Sequence, residues 1–175
     1  MGMLRPYQDE LVNELYASWN NGFKAPCIVL PCGGGKSVII ADIAKRFTDQ
    51  SKNVLFLVHR KELCEQIENT FKNWGVDMNF CKVGMVQTVC RRLEKMPKPS
   101  LIITDENHHS KANSYRKIYD YFSDVKRVGV TATPVRLDGS GLSDVNDKLI
   151  IGVNARWLIR NNCLAPYDYY APPLA

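Results

Sequence analysis

The stretch IVLPCGGGKSVII, residues 28–40, decides how the rest of the chain is read. Three consecutive glycines and a Lys-Ser pair stand between two apolar runs. Such a loop can cradle phosphate, because glycines let the backbone approach an anion and the following helix N-terminus adds a favourable dipole. The strict pattern G-x-x-x-x-G-K-[ST] needs glycine at position 30, where this sequence has Leu30. A glycine turn followed by a chance Lys-Ser therefore stays open until the neighbouring segments are read.

Upstream, Leu11, Leu15 and Trp19 recur every four residues between Pro6 and Asn20-Asn21-Gly22, which predicts a helix with a proline entry and a glycine exit. Cys27 to Leu30 is a short apolar run, the mark of a strand covered on both faces. A helix is expected from Lys36 to Phe47, a second strand from Val54 to Val58, and a helix carrying Leu63, Ile67 and Phe71 that stops at Trp74-Gly75. Val86 to Lys95 reads as a helix, broken by Met96-Pro97-Lys98-Pro99. Leu101 to Thr104 is a third buried strand. Tyr115, Ile118, Tyr119 and Phe122 form a helical face, and Arg127 to Val130 a fourth strand. Buried strands alternating with helices predict an α/β fold, a mostly parallel sheet with helices on both faces. Ligands bind such sheets at the carboxyl ends of the strands.

Three strand ends carry chemistry. The first bears Cys32, Gly33, Gly34, Gly35, Lys36 and Ser37, where Lys36 can face outer phosphates and Ser37 can offer a hydroxyl to Mg²⁺. The third bears Asp105-Glu106-Asn107-His108. Two carboxylates leaving a buried strand call for a cation or polar partners. An Asp there can hold Mg²⁺ and its neighbour can polarise a water, though a solvated acidic loop would look the same. The fourth bears Thr131-Ala132-Thr133-Pro134, which alone is a hydroxyl-rich turn.

The bulk composition is that of one ordinary globular domain: 175 residues, 45% hydrophobic, 23% charged, net charge +5. The mild basic bias is compatible with nucleic acid without demanding it. Six cysteines without a C-x-x-C pair predict a reduced, cytosolic setting and no zinc site. No apolar stretch approaches the ~18 residues of a membrane span, and no signal-peptide core follows the N-terminus.

Taken jointly, these segments resemble the first RecA-like domain of superfamily 2 helicases of the DExH-box kind, with the phage and type III restriction Res-subunit branch the nearest likeness. That superfamily commonly opens its phosphate loop with a residue other than glycine, so Leu30 no longer counts against the loop. LRPYQDELV at 4–12 is similar to the adenine-recognition motif, which implies that Gln8, with Arg5, reads the nucleotide. VLFLVHRKELCEQ at 54–66 and VGMVQTVCRR at 83–92 resemble substrate-facing segments, which implies nucleic-acid contacts at His59, Arg60, Lys61, Thr88, Arg91 and Arg92. DENHH departs from the commoner DEAH or DECH form at Asn107, and VTATPVRLDG at 130–139 matches the family's TATP stretch.

The resemblance implies an RecA-like P-loop NTPase core that uses ATP and Mg²⁺. Lys36, Asp105 and Glu106 would be catalytic, with Glu106 the base. Cys32, Gly33, Gly34, Gly35, Lys36 and Ser37 would hold the nucleotide, Ser37 and Asp105 the metal. His108, Thr131 and Thr133 would couple nucleotide state to nucleic acid, DNA or RNA, with DNA favoured. Residues 1–165 would form the ATP-binding domain, and residues 166–175 the start of a linker to a second RecA-like domain. These 175 residues alone would hydrolyse ATP poorly for want of that domain's arginine. The setting would be the cytoplasm of a bacterial or phage-infected cell. A restriction translocase without true unwinding, a nucleoside kinase on the same core and a non-catalytic nucleotide switch remain alternatives.

Overall fold

The structure is a computed structural model that describes residues 3–31, 34–105, 113–132 and 146–163. In chain order the elements are α1 (Pro6–Asn20), β1 (Pro26–Val29), α2 (Lys36–Thr48), β2 (Val54–Val58), α3 (Lys61–Trp74), β3 (Cys81–Met85), α4 (Val86–Arg91), β4 (Leu101–Asp105), α5 (Asn113–Tyr121), β5 (Lys126–Thr131), β6 (Lys148–Ile151) and α6 (Ala155–Arg160). A single 3₁₀ turn, Leu93–Lys95, follows α4. The strands form one parallel sheet in the order β3-β2-β4-β5-β1-β6.

That order explains where the helices lie. A parallel crossover is right-handed, so the direction of travel across the sheet decides which face its helix covers. From β1 to β2 to β3 the chain moves one way, and α2 and α3 cover one face together with α1. From β3 to β4 to β5 it moves back, and α4 and α5 cover the other. The core divides accordingly. Leu15, Ile28, Ile39, Ile43, Phe56 and Phe71 pack on the first face, while Leu57, Val89, Ile102, Ile118 and Phe122 pack on the second.

The four expected buried strands are present, as are the helices around Leu11, Lys36, Leu63 and Tyr115. The helix expected over Val86–Lys95 is broken. Arg92 leaves helical geometry at φ −122° and ψ 19°, and the chain tightens into the 3₁₀ turn that buries Leu93. Strands β3 and β6 were not foreseen. Both are edges with partial exposure, and β3 carries Lys82 and Gly84 where a covered strand would be apolar. Gly84 is there for packing: a Cβ on it would lie 2.6 Å from Val89 Cγ2 of α4. No helix among the described residues is long and apolar enough to cross a membrane.

Candidate functional site

The sheet order brings the three informative strand ends side by side. β5 lies between β4 and β1, with Asp105 in register with Val130 and Thr131 in register with Val29. The helices after β1 and β4 cover opposite faces, so a crevice opens at their carboxyl ends.

The glycine loop is held from behind by α1. The Tyr7 hydroxyl donates to Gly34 O at 2.6 Å, and Gln8 Nε2 reaches the same oxygen at 3.3 Å. Gln8 Oε1 meanwhile accepts from the Arg5 N–H at 2.8 Å, so one buried amide joins the start of α1 to the loop. Burial raises the Tyr7 phenol above its ordinary pKa, partly opposed by Arg5, and keeps it a donor. On the inner side the Gly34 N–H closes a tight turn onto Pro31 O at 3.0 Å, and a Cβ on Gly34 would lie 2.7 Å from Leu30 Cγ. Gly35 caps α2 at φ +83°, a left-handed geometry that favours glycine. A Cβ there would also stand 2.1 Å from Gln8 Nε2. A side chain at either position would collide, and at Gly35 the left-handed backbone adds strain.

Lys36 and Ser37 begin α2 directly after this turn, at the positive end of the helix dipole. Ser37 and Asp105 line one cavity of about 130 Å³ with Gln66 and Thr70 of α3 over an apolar floor that includes Phe56 and Ile67. A hydroxyl and a carboxylate at its rim are oxygen donors of the kind Mg²⁺ selects. Thr131 is fully buried and its carbonyl accepts from Leu30 N–H at 3.0 Å, which ties β5 to the residue before the loop. Beneath Asp105, Thr104 Oγ1 and the Tyr119 hydroxyl are 2.8 Å apart.

Of the residues expected at a nucleotide site, Gln8, Gly34, Gly35, Lys36, Ser37, Asp105 and Thr131 thus gather at one end of the sheet. The Arg5 guanidinium donates to Cys163 O at 3.3 Å and lies beside the Tyr7 hydroxyl behind the loop. Cys32, Gly33, Glu106, His108 and Thr133 lie outside the described residues, as does 166–175. Tyr7 was missed. Its signal lay in LRPYQ itself, since a buried tyrosine hydroxyl requires a partner.

The expected nucleic-acid residues divide into two places. Val58 pairs with Met85 in register, so Arg60 and Lys61 at the start of α3 lie beside the start of α4, where Thr88 is exposed. Arg91 and Arg92 lie at the far end of α4, where they line a separate groove of about 340 Å³.

Fold and strand-end arrangement together define an RecA-type domain of the superfamily 2 helicase kind. The family model described as "Type III restriction enzyme, res subunit" matches residues 2–90 and 77–136, and the chain belongs to that family. It is 51% identical over 143 residues to a 51.5 kDa protein of a Lactococcus phage, an alignment covering 82% of this chain and 32% of that protein. It is 35% identical over 178 residues to IRC3 of Saccharomyces cerevisiae, named as a candidate ATP-dependent helicase, covering 85% of this chain and 26% of that one. The chain thus spans between a quarter and a third of these relatives. The Hef helicase domain of Pyrococcus furiosus superposes with a TM-score of 0.68 at 20% identity, over 85% of this chain and 37% of that one, a likeness of fold.

Proposed function

We propose that the chain is the ATP-binding part of a DNA helicase or translocase that couples ATP hydrolysis to movement along nucleic acid. The observation that carries this reading is the adjacency of β4, β5 and β1, which gathers Asp105, Thr131 and Lys36-Ser37 around one crevice. Membership of a restriction-subunit family supports DNA as the polymer.

In this reading the Gly34–Gly35 turn presents backbone to the phosphates while Tyr7 and Gln8 hold its far side. Lys36 compensates their charge, and Gln8, already at the loop, uses its remaining hydrogen-bonding capacity on the adenine edge. Ser37 and Asp105 fit a Mg²⁺ site, and the ion would neutralise charge on the phosphoryl oxygens. Glu106 takes the proton of the attacking water. His108, Thr131 and Thr133 link the crevice to the strand-tracking surface, where Arg60, Lys61, Thr88, Arg91 and Arg92 meet phosphates. Residues 1–165 constitute this domain, and residues 166–175 lead toward a second RecA-like domain that completes the site with an arginine. The setting is the cytoplasm of a bacterial or phage-infected cell.

The test is binding of a fluorescent ATP analogue with Mg²⁺, alongside ATPase assays of the full-length protein, second RecA-like domain included, with and without single-stranded DNA. Nucleotide binding that Lys36→Ala removes, and turnover that DNA stimulates, are expected. Absent nucleotide binding, or turnover indifferent to any polynucleotide, would overturn the reading.

A further inference from the structure

The groove at the far end of α4 lies on the sheet face opposite α1, α2 and α3, away from the nucleotide crevice. Arg91, Arg92 and Lys95 enter it from the break after α4, and Lys117 and Tyr121 from α5. Lys117 and Tyr121 are four residues apart on their helix and so share one face. Glu94 is the single carboxylate among the described lining residues. None of the four cations is ion-paired among the described residues, whereas Lys45, Arg46 and Lys98 each meet an aspartate. Crowding unpaired cations into one concave surface is repulsive, and an incoming anion relieves that repulsion.

Tyr121 supplies the second observation. Its side chain is anchored edge-on against the buried Phe122 ring at 5.0 Å, yet the residue remains 52% exposed. An aromatic ring packed against a neighbour yet half-exposed, in a groove that four cations also line, is a platform for stacking. A single strand offers phosphates together with exposed base faces, and the groove offers four cations together with one ring. A duplex hides its base faces, and an acidic peptide has no use for the platform.

We infer that this groove is a further binding site for single-stranded nucleic acid, in which an unpaired base stacks on Tyr121 while Lys95 and Lys117, with Arg91 and Arg92, hold the flanking phosphates. The inference rests on the reading of nucleic acid as the partner, and adds contacts on α5 that lie off the strand-end crevice. The α4 helix then provides a continuous route, from Arg60, Lys61 and Thr88 at its beginning to the groove at its end.

The experiment is fluorescence anisotropy of labelled oligo(dT) with the intact protein over a salt series. Lys95→Glu/Lys117→Glu should flatten the log–log salt slope by about 1.4, at roughly 0.7 per phosphate contact on a single strand. Tyr121→Ala should weaken binding by roughly 5- to 100-fold, the worth of one base–aromatic stack, while Tyr121→Phe retains it. Circular dichroism melting checks that the surface variants fold. Wild-type affinity and slope in all of these variants would overturn the groove while leaving the proposed function standing, because Arg60→Ala/Lys61→Ala would still weaken binding. Loss of polyglutamate binding with unchanged oligo(dT) binding would assign the groove to an acidic protein and overturn it too. A wild-type protein that binds no oligonucleotide would overturn both readings.

Discussion

The glycine-loop junction and the α3–α4 edge are built on different principles. At the junction each polar atom has a designated partner: Gly34 O accepts from Tyr7 and Gln8, and Gln8 returns to Arg5 N–H. Both glycines stand where a side chain would collide. At the edge, Arg60, Lys61, Thr88, Arg91 and Arg92 are exposed charges and hydroxyls at helix ends. A nucleotide site must position backbone within tenths of an ångström, so the core dictates it. A surface that tracks a polymer of any sequence needs charge at roughly the right place, and flexible side chains suffice. The first region should therefore fail sharply when altered, and the second by degrees.

The largest effect is expected where chemistry depends on one atom. In the full-length protein, Glu106→Gln should lower turnover by about 10²–10⁴-fold, the usual contribution of a general base, with nucleotide affinity preserved. Steady-state ATPase assays with parallel nucleotide titrations separate the two. Parent-like turnover in the variant would remove Glu106 from the role of base.

Next in size is Gly35→Ala. The left-handed backbone costs a residue with Cβ about 1–2 kcal/mol, and the new Cβ meets Gln8 Nε2. Escape by Gln8 sacrifices its bond to Gly34 O. Together about 2 kcal/mol is expected, or roughly 4–8 °C in melting temperature for a domain of this size. Measured in a Gln8→Ala background, Gly35→Ala should cost only the backbone part. A Gly35→Ala protein that melts with the wild type would show that the junction is softer than its contacts imply.

The edge should respond more mildly. Arg60→Ala/Lys61→Ala is expected to reduce the salt slope of single-strand binding by about 1.4 if both meet phosphates, with melting unchanged. A flat salt dependence in the parent would show that these side chains are solvated and idle.

The same contrast explains what was legible beforehand. β1, β2, β4 and β5 are covered on both faces, so their apolar runs announced them. β3 and β6 are edges whose exposed positions diluted the signal, and Gly84 interrupts the apolar run of β3 because it lets α4 approach the sheet. The candidate site residues stood out because glycine, lysine and acid clusters at strand ends are chemically specific. Tyr7 escaped because its role is a hydroxyl on a distant carbonyl, 27 residues away in sequence. The basic groove escaped because Lys117 and Tyr121 on α5 are remote in sequence from Arg91, Arg92 and Lys95. Only the packing of α5 on α4 brings them together.

Tyr7→Phe is the smallest change and the most discriminating. It removes one oxygen and leaves the ring in its edge-on contact with Trp157 at 5.5 Å. Gly34 O keeps its second donor, Gln8 Nε2, at the longer distance of 3.3 Å. The carbonyl is therefore not orphaned, and the loss should be that of an ordinary hydrogen bond, about 0.5–1.5 kcal/mol. If the bond serves only folding, that loss appears in the melting temperature and nucleotide affinity is unchanged. If it pre-sets the loop, affinity for Mg-ADP should also fall by roughly 2- to 10-fold, because the ligand must then order a loop that α1 no longer holds. Isothermal titration of the variant, read beside its melting curve, separates the two roles. Unchanged affinity and unchanged melting would mean that Gln8 alone secures the loop.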